Sequence, residues 1–182
     1  MKPFVLALTG TLLLFLNTSC ETTYDAHDQR AVPIEGAFGL KLGAIFDTSG
    51  GGLEGSADPI LRYTFVPTNT FRSFVKHSVH VTHNEHKICR ISAMANFNSR
   101  SEAELELDIL MKLLSSKYGP EWRFPKEGQP GGLRAIRQKN RSIVAGVQTS
   151  SAGGHVIIAY NDESLQKLAE REGIRRLDKS GL

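Results

Sequence analysis

Four of the six histidines fall at one spacing: His77, His80, His83 and His86, every third residue. On a helix, imidazoles at that spacing would cluster and hold a metal ion. The local pattern is not helical, however. Val75, His77, Val79 and Val81 alternate with Lys76, Ser78, His80 and Thr82, and a period of two marks a strand. On a strand, His77 and His83 stand about 20 Å apart and His80 faces the other way. Zinc–nitrogen bonds are about 2 Å long, so one ion cannot join them. Only His83, Glu85 and His86, drawn together by a turn, remain as a candidate metal set. They match neither H-E-x-x-H nor H-x-x-E-H.

Two other patterns carry formal chemistry. Arg134, Arg137, Lys139 and Arg141 make a basic run. It reads as a solvated strand edge, where charge discourages edge-to-edge pairing. The functional alternative is a surface for anionic lipid headgroups or an acidic partner. Gly50, Gly52 and Gly55 satisfy G-x-G-x-x-G. The dinucleotide motif needs a helix at its third glycine, and Pro59 closes off that helix. No serine lies in G-x-S-x-G, and neither cysteine has a catalytic signature around it. Glu102, Glu104, Glu106 and Asp108 read as acids at the positive end of a helix dipole. No catalytic constellation emerges, and no cofactor is implied.

The histidines belong to the stretch with the clearest periodicity, residues 71–119. It reads as strand, turn, strand, helix. Cys89, Ile91, Ala93, Ala95 and Phe97 form an apolar face matching that of Val75, His77, Val79 and Val81. A loop at Asn84-Glu85-His86 sets Val81 opposite Cys89 and Val79 opposite Ile91, keeping both faces on one side. Ser99 and Ser101 each precede a glutamate by three residues, so two overlapping capping boxes mark a helix start. Ala103, Leu107, Leu110, Met111, Leu114 and Tyr118 form its apolar stripe, and Gly119-Pro120 ends it. Such a stripe must cover a sheet face.

Elsewhere the pattern predicts a first short strand at 36–43 and a half-buried strand at 60–66. Residues 121–132 read as an irregular connector. Its Trp122 and Phe124 are expected to cap the helix end, the alternative being an exposed contact patch. A strand is expected at 133–137. A second hairpin pairs 142–149 with 155–160 across a five-residue loop, with Val147 facing Ile157. Asn161-Asp162 caps a second helix over 163–172, ended by Gly173, with a loose tail after it. The expected fold class is α+β: an antiparallel sheet of about five to seven strands with two hairpins. One main helix and a shorter C-terminal helix pack against it.

The N-terminus sets the compartment. Lys2 supplies a positive start and residues 4–16 an apolar run of about 13, a signal-peptide core too short to span a bilayer. Residues 1–19 are therefore read as a signal peptide, 20–35 as a flexible tether and 36–182 as a single domain. The segment from Leu16 to Cys20 resembles the lipobox of bacterial lipoproteins, with Asn17 where an aliphatic residue is usual. That resemblance implies a lipid on Cys20 and a membrane as partner. The alternative is a freely secreted protein. Cys89 then reads as a buried small hydrophobe, with a Cys20–Cys89 disulfide as the other option.

The chain has 182 residues, enough for one domain with a real core. Hydrophobic content of 40% and charged content of 23% exclude a disordered or membrane-spanning chain. A net charge of +3, with both signs interspersed, speaks against nucleic acid, whose binders concentrate a basic face.

Several short landmarks together resemble uncharacterised bacterial secreted or lipoprotein-like proteins. They are G-x-F-G-L-K-x-G at 36–43, the strand pair from Phe71 to Val81 and from Ile88 to Ala93, Lys117-Tyr118-Gly119, and a late strand ending at Tyr160. His83-Asn84-Glu85-His86 stands where a turn glycine is expected. The resemblance implies fold and export and assigns no functional residue. The expectation is a non-enzymatic envelope domain that binds another envelope protein through a sheet face or edge. The alternative is a secreted metal-binding protein or enzyme using the hairpin from His77 to His86.

Overall fold

The computed structural model describes residues 31–54, 59–69, 71, 73–126, 129–151 and 153–180. The signal segment, Cys20 and Gly55 lie outside these residues. Two short strands, β1 (Gly36–Ala37) and β2 (Leu40–Lys41), form a small hairpin of their own. The main sheet begins with β3 (Gly52–Leu53), β4 (Leu61–Thr64), β5 (Phe74–Val81) and β6 (Ile88–Phe97). Helix α1 (Arg100–Tyr118) follows. Then come β7 (Glu121–Lys126), β8 (Gln129–Gln138), β9 (Arg141–Ser150), β10 (Gly153–Asp162) and helix α2 (Glu163–Ser180). The fold is α+β, and its sheet is antiparallel in the order β3-β4-β5-β6-β10-β9-β8-β7. Eight strands exceed the five to seven expected, because 121–126 is a paired strand rather than a connector.

Helix α1 is built as its sequence dictates. Ser99 is the N-cap, its Oγ accepting from Glu102 N at 3.2 Å. The Glu102 carboxylate accepts from Asn98 N at 3.1 Å, closing the reciprocal box. All six residues of the apolar stripe are buried, and they pack on β6, β8, β9 and β10. Each buried Leu or Met contributes about 1.5–3 kcal/mol of apolar transfer. Gly119 takes φ +107 and donates to Ser115 O at 3.1 Å, which stops the helix.

Register decides what faces the helix. Val79 pairs with Ile91, and Tyr160 pairs with Ile91 from the other side. Ile91, Ala93 and Ala95 of β6 and Val156, Ile158 and Tyr160 of β10 therefore share the α1 face and form the core. Arg90, Ser92 and Met94, with Ile157, Ala159 and Asn161, take the opposite face. Helix α2 crosses only one end of that opposite face. Its Gln166 carboxamide lies within hydrogen-bond distance of Asn161 Oδ1 and the Arg90 guanidinium. Farther along, Glu172 accepts from His83 N at 2.8 Å and from Asn84 Nδ2 at 2.8 Å.

Several local expectations are corrected. Residues 36–43 are a hairpin, not one strand, because Phe38 and Gly39 take φ +55 and +88, the positive pair that a tight hairpin turn requires. Ile34 is fully buried and its N–H donates to Gln138 Oε1 at 2.8 Å, so the packed domain includes residues on the tether side of Gly36. The β9–β10 turn is two residues long, not five, so Val147 pairs with Val156 and not Ile157. That one-residue shift turns Ile157 to the face away from α1. Bulges act likewise in β5–β6: Val81 pairs with Ile88, leaving Cys89 as the extra residue, and Val75 is extruded to solvent. Helix α2 does not end at Gly173 but runs on through the residues expected to be loose, as far as Ser180. Gly173 is there for space, since a Cβ would stand 1.7 Å from Pro59 O.

Candidate functional site

The histidine series is dispersed by the strand, and each member has local work. His77 is buried in the core, its ring 4.9 Å from that of Phe38 and 5.8 Å from that of Phe65. Its Nε2 has no hydrogen-bond partner among the described residues, and burial lowers its pKa. His80 pairs with Arg90 and so sits on the opposite face. His83 lies in the turn after β5, where its Nε2 meets Pro59 O at 2.6 Å and its Nδ1 meets Arg176 of α2 at 3.2 Å. His86 takes φ +51, and its carbonyl accepts from Phe46 N. Glu85 pairs with Lys87. The turn thus ties β5–β6 to α2 and to the loop before β4. Among the described residues no group of three or more His, Cys, Asp or Glu could hold a metal ion.

The basic run is not a patch either. Arg134 is buried on the α1 face, its Nε and Nη2 reaching both Glu121 carboxylate oxygens at 2.7 and 2.6 Å. Its Nη1 reaches Asp108 of α1. Hydrogen bonds from Arg134 hold the Glu121 carboxyl below the usual carboxylate range. Arg141 fastens three segments: Nε bonds Asp162 at 3.3 Å, Nη1 bonds Ile34 O at 2.9 Å and Nη2 bonds Leu42 O at 3.4 Å. Lys139 is an exposed turn residue at φ +53. Arg137 alone joins a surface feature, its guanidinium 5.6 Å from the Phe124 ring centroid.

That feature is the free face of the sheet and its β7 edge. Trp122 pairs with Ala135 and Phe124 with Leu133, which places all four on the face away from α1. Trp122, Phe124 and Leu133 are 49%, 43% and 52% exposed. The two aromatics therefore do not cap α1, contrary to expectation, because the pleat of β7 turns them to the other face. Toward the sheet centre the face continues through Val144, Ile157 and Ala159, which line a hollow of about 450 Å³. Strand β7 is terminal in the sheet order, so among the described residues one side of its backbone is unpaired, and Pro125 within it is typical of an edge. An apolar face beside an open edge is suited to a partner strand, with backbone bonds for affinity and side-chain pockets for specificity.

Sequence reasoning held the exposed contact patch at Trp122 and Phe124 only as the alternative, because it read 121–132 as a connector. The signal was present: Trp122 and Phe124 alternate with Glu121 and Arg123 at period two. No described helix is long and apolar enough to cross a membrane. Comparisons with protein-family models, with curated proteins and with solved structures find no match.

Proposed function

We propose that this chain is a non-enzymatic binding domain of the bacterial cell envelope, held at a membrane by a lipid on Cys20. It takes up an extended segment of another envelope protein on the free sheet face and along β7. The observation that supports the reading is the Trp122, Phe124 and Leu133 cluster, exposed beside an unpaired strand edge. Solvent-facing aromatics grouped in this way are a feature of contact surfaces. Arg137 lies over Phe124 at the cluster, which favours a segment carrying acidic as well as apolar side chains.

Two experiments test it. A photo-crosslinking amino acid at Trp122, in cells, is expected to give one discrete adduct that disappears with Phe124→Glu. The same probe at the exposed Leu105 on α1 is expected to give none. No adduct from Trp122, or equal adducts from both positions, defeats the docking site. For the anchor, a labelled fatty acid enters the wild type and not Cys20→Ser. An unlabelled wild type defeats the lipid.

A further inference from the structure

A separate cleft lies on the helix-covered side of the sheet. It holds about 390 Å³ between the second half of α1 and the β1–β2 hairpin. A volume of this size falls in the range of small-molecule sites, roughly 300–1,000 Å³. Helix α1 contributes Leu110, Leu113 and Leu114, and the approach to β5 contributes Phe71 and Phe74. Phe38 closes it from the hairpin turn, its ring 5.9 Å from that of Phe74 and 6.3 Å from that of Tyr160. Phe38 holds a left-handed backbone conformation, φ +55, that bulky residues rarely adopt. The aromatic contacts offset that strain and keep the hairpin over the cleft.

Its polar groups are few and unspent. Tyr118 and Tyr160 both line the cleft, are 8% and 6% exposed, and neither hydroxyl has a hydrogen bond among the described residues. Neither hydroxyl is among the buried side-chain atoms left without a partner, so both are open to the cleft and can donate to a ligand with acceptor atoms. Burial, reinforced by Tyr118, pushes the Tyr160 phenol above its ordinary value, so it remains a donor at neutral pH. Lys117 is the sole charged residue of the lining among the described residues. Its Nζ stands 4.8 Å from the Tyr118 ring centroid, and it has no carboxylate partner among the described residues.

We propose that this cleft binds one alkyl chain bearing an anionic head, its tail among Phe38, Phe74 and Leu114 and its head on Lys117 and Tyr118. The chemistry is that of a free fatty acid or a monoacyl glycerophospholipid. The site is independent of the docking face, which lies across the sheet.

The test is a calorimetric titration below micelle-forming concentrations. It uses the exported protein carrying Cys20→Ser, so that no acyl chain of its own competes. Dodecanoate is expected to bind saturably, tighter than dodecanol and far tighter than dodecyltrimethylammonium. Lys117→Gln should weaken dodecanoate roughly two- to fivefold, the worth of one exposed charge pair, and leave dodecanol unchanged. Leu113 lines the cleft yet is 48% exposed, so Leu113→Trp should block binding of every ligand without lowering Tm. Dodecanoyl lysophosphatidylglycerol binding more tightly than dodecanoate assigns the phospholipid source, and the reverse assigns the free acid. Absence of saturable binding, equal affinity for the three head groups, or dodecanoate binding untouched by Leu113→Trp overturns the proposal.

Discussion

His77 and Cys89 are two buried titratable side chains whose environment sets their chemistry. Neutral imidazole is the form His77 can keep between Phe38 and Phe65, since its Nε2 finds no partner and burial lowers its pKa. The unfolded chain binds this proton more readily. Stability from the neutral ring is therefore full above the ordinary histidine value near 6.5 and is lost as pH falls through and below it. His77→Leu should shrink the drop in urea midpoint between pH 8 and pH 5.5. It should also stabilise at pH 8, by up to about 1 kcal/mol, by removing an unpaired polar atom. An unchanged pH dependence would point to other groups. Burial pushes the Cys89 thiol up to about 12, and its Sγ donates to His80 O at 3.2 Å. Because the thiolate is the nucleophile, Cys89 should resist a disulfide reagent at pH 8 in folded Cys20→Ser protein and react fully once it is unfolded.

Strands β7 and β8 separate arginines that look alike in sequence. Arg134 points under α1 into Glu121 and Asp108, whereas Arg137 lies over Phe124 on the free face. Truncating one member of a buried pair strands the other charge. Arg134→Ala should therefore cost about 3 kcal/mol in denaturant unfolding, while Arg137→Ala should stay within about 0.5 kcal/mol. Equal costs would mean that the pleat does not divide them. Helix α2 offers a second test. A helical glycine-to-alanine change normally gains up to about 1 kcal/mol from propensity. At Gly173 the new methyl meets the Pro59 carbonyl. Such overpacking typically costs about 1–3 kcal/mol, so Gly173→Ala should lower Tm.

Over the whole molecule the two sheet faces have different fates. Helix α1 seals one, and α2 covers only a corner of the other, leaving Trp122, Phe124 and Leu133 in solvent. Trp122→Glu with Phe124→Glu should thus leave Tm nearly unchanged, within about 0.5 kcal/mol per surface site, while removing the Trp122-region partner. Met111→Ala, in the sealed face, should cost about 2–5 kcal/mol. Comparable losses in both variants would mean that the free face is covered within the folded chain.

Local rules were enough for α1, down to its serine cap, its six-residue stripe and its glycine stop, because each depends on neighbours three or four residues away. The same holds for the existence of the β5–β6 hairpin, though not for its register at Val81, and for the alternation of 61–65. Tertiary structure alone decided register, edges and sites. A two-residue β9–β10 turn and a single bulge at Cys89 moved side chains across the sheet, and neither leaves a mark in hydrophobic periodicity. Gly173 looked like a helix stop because its reason, the Pro59 backbone, is more than a hundred residues away. The histidine spacing promised a cluster that a strand cannot deliver. The apolar cleft, by contrast, gathers Phe38, Phe74, Lys117 and Tyr160 from four separated segments, and no local pattern announces a site built by chain crossings.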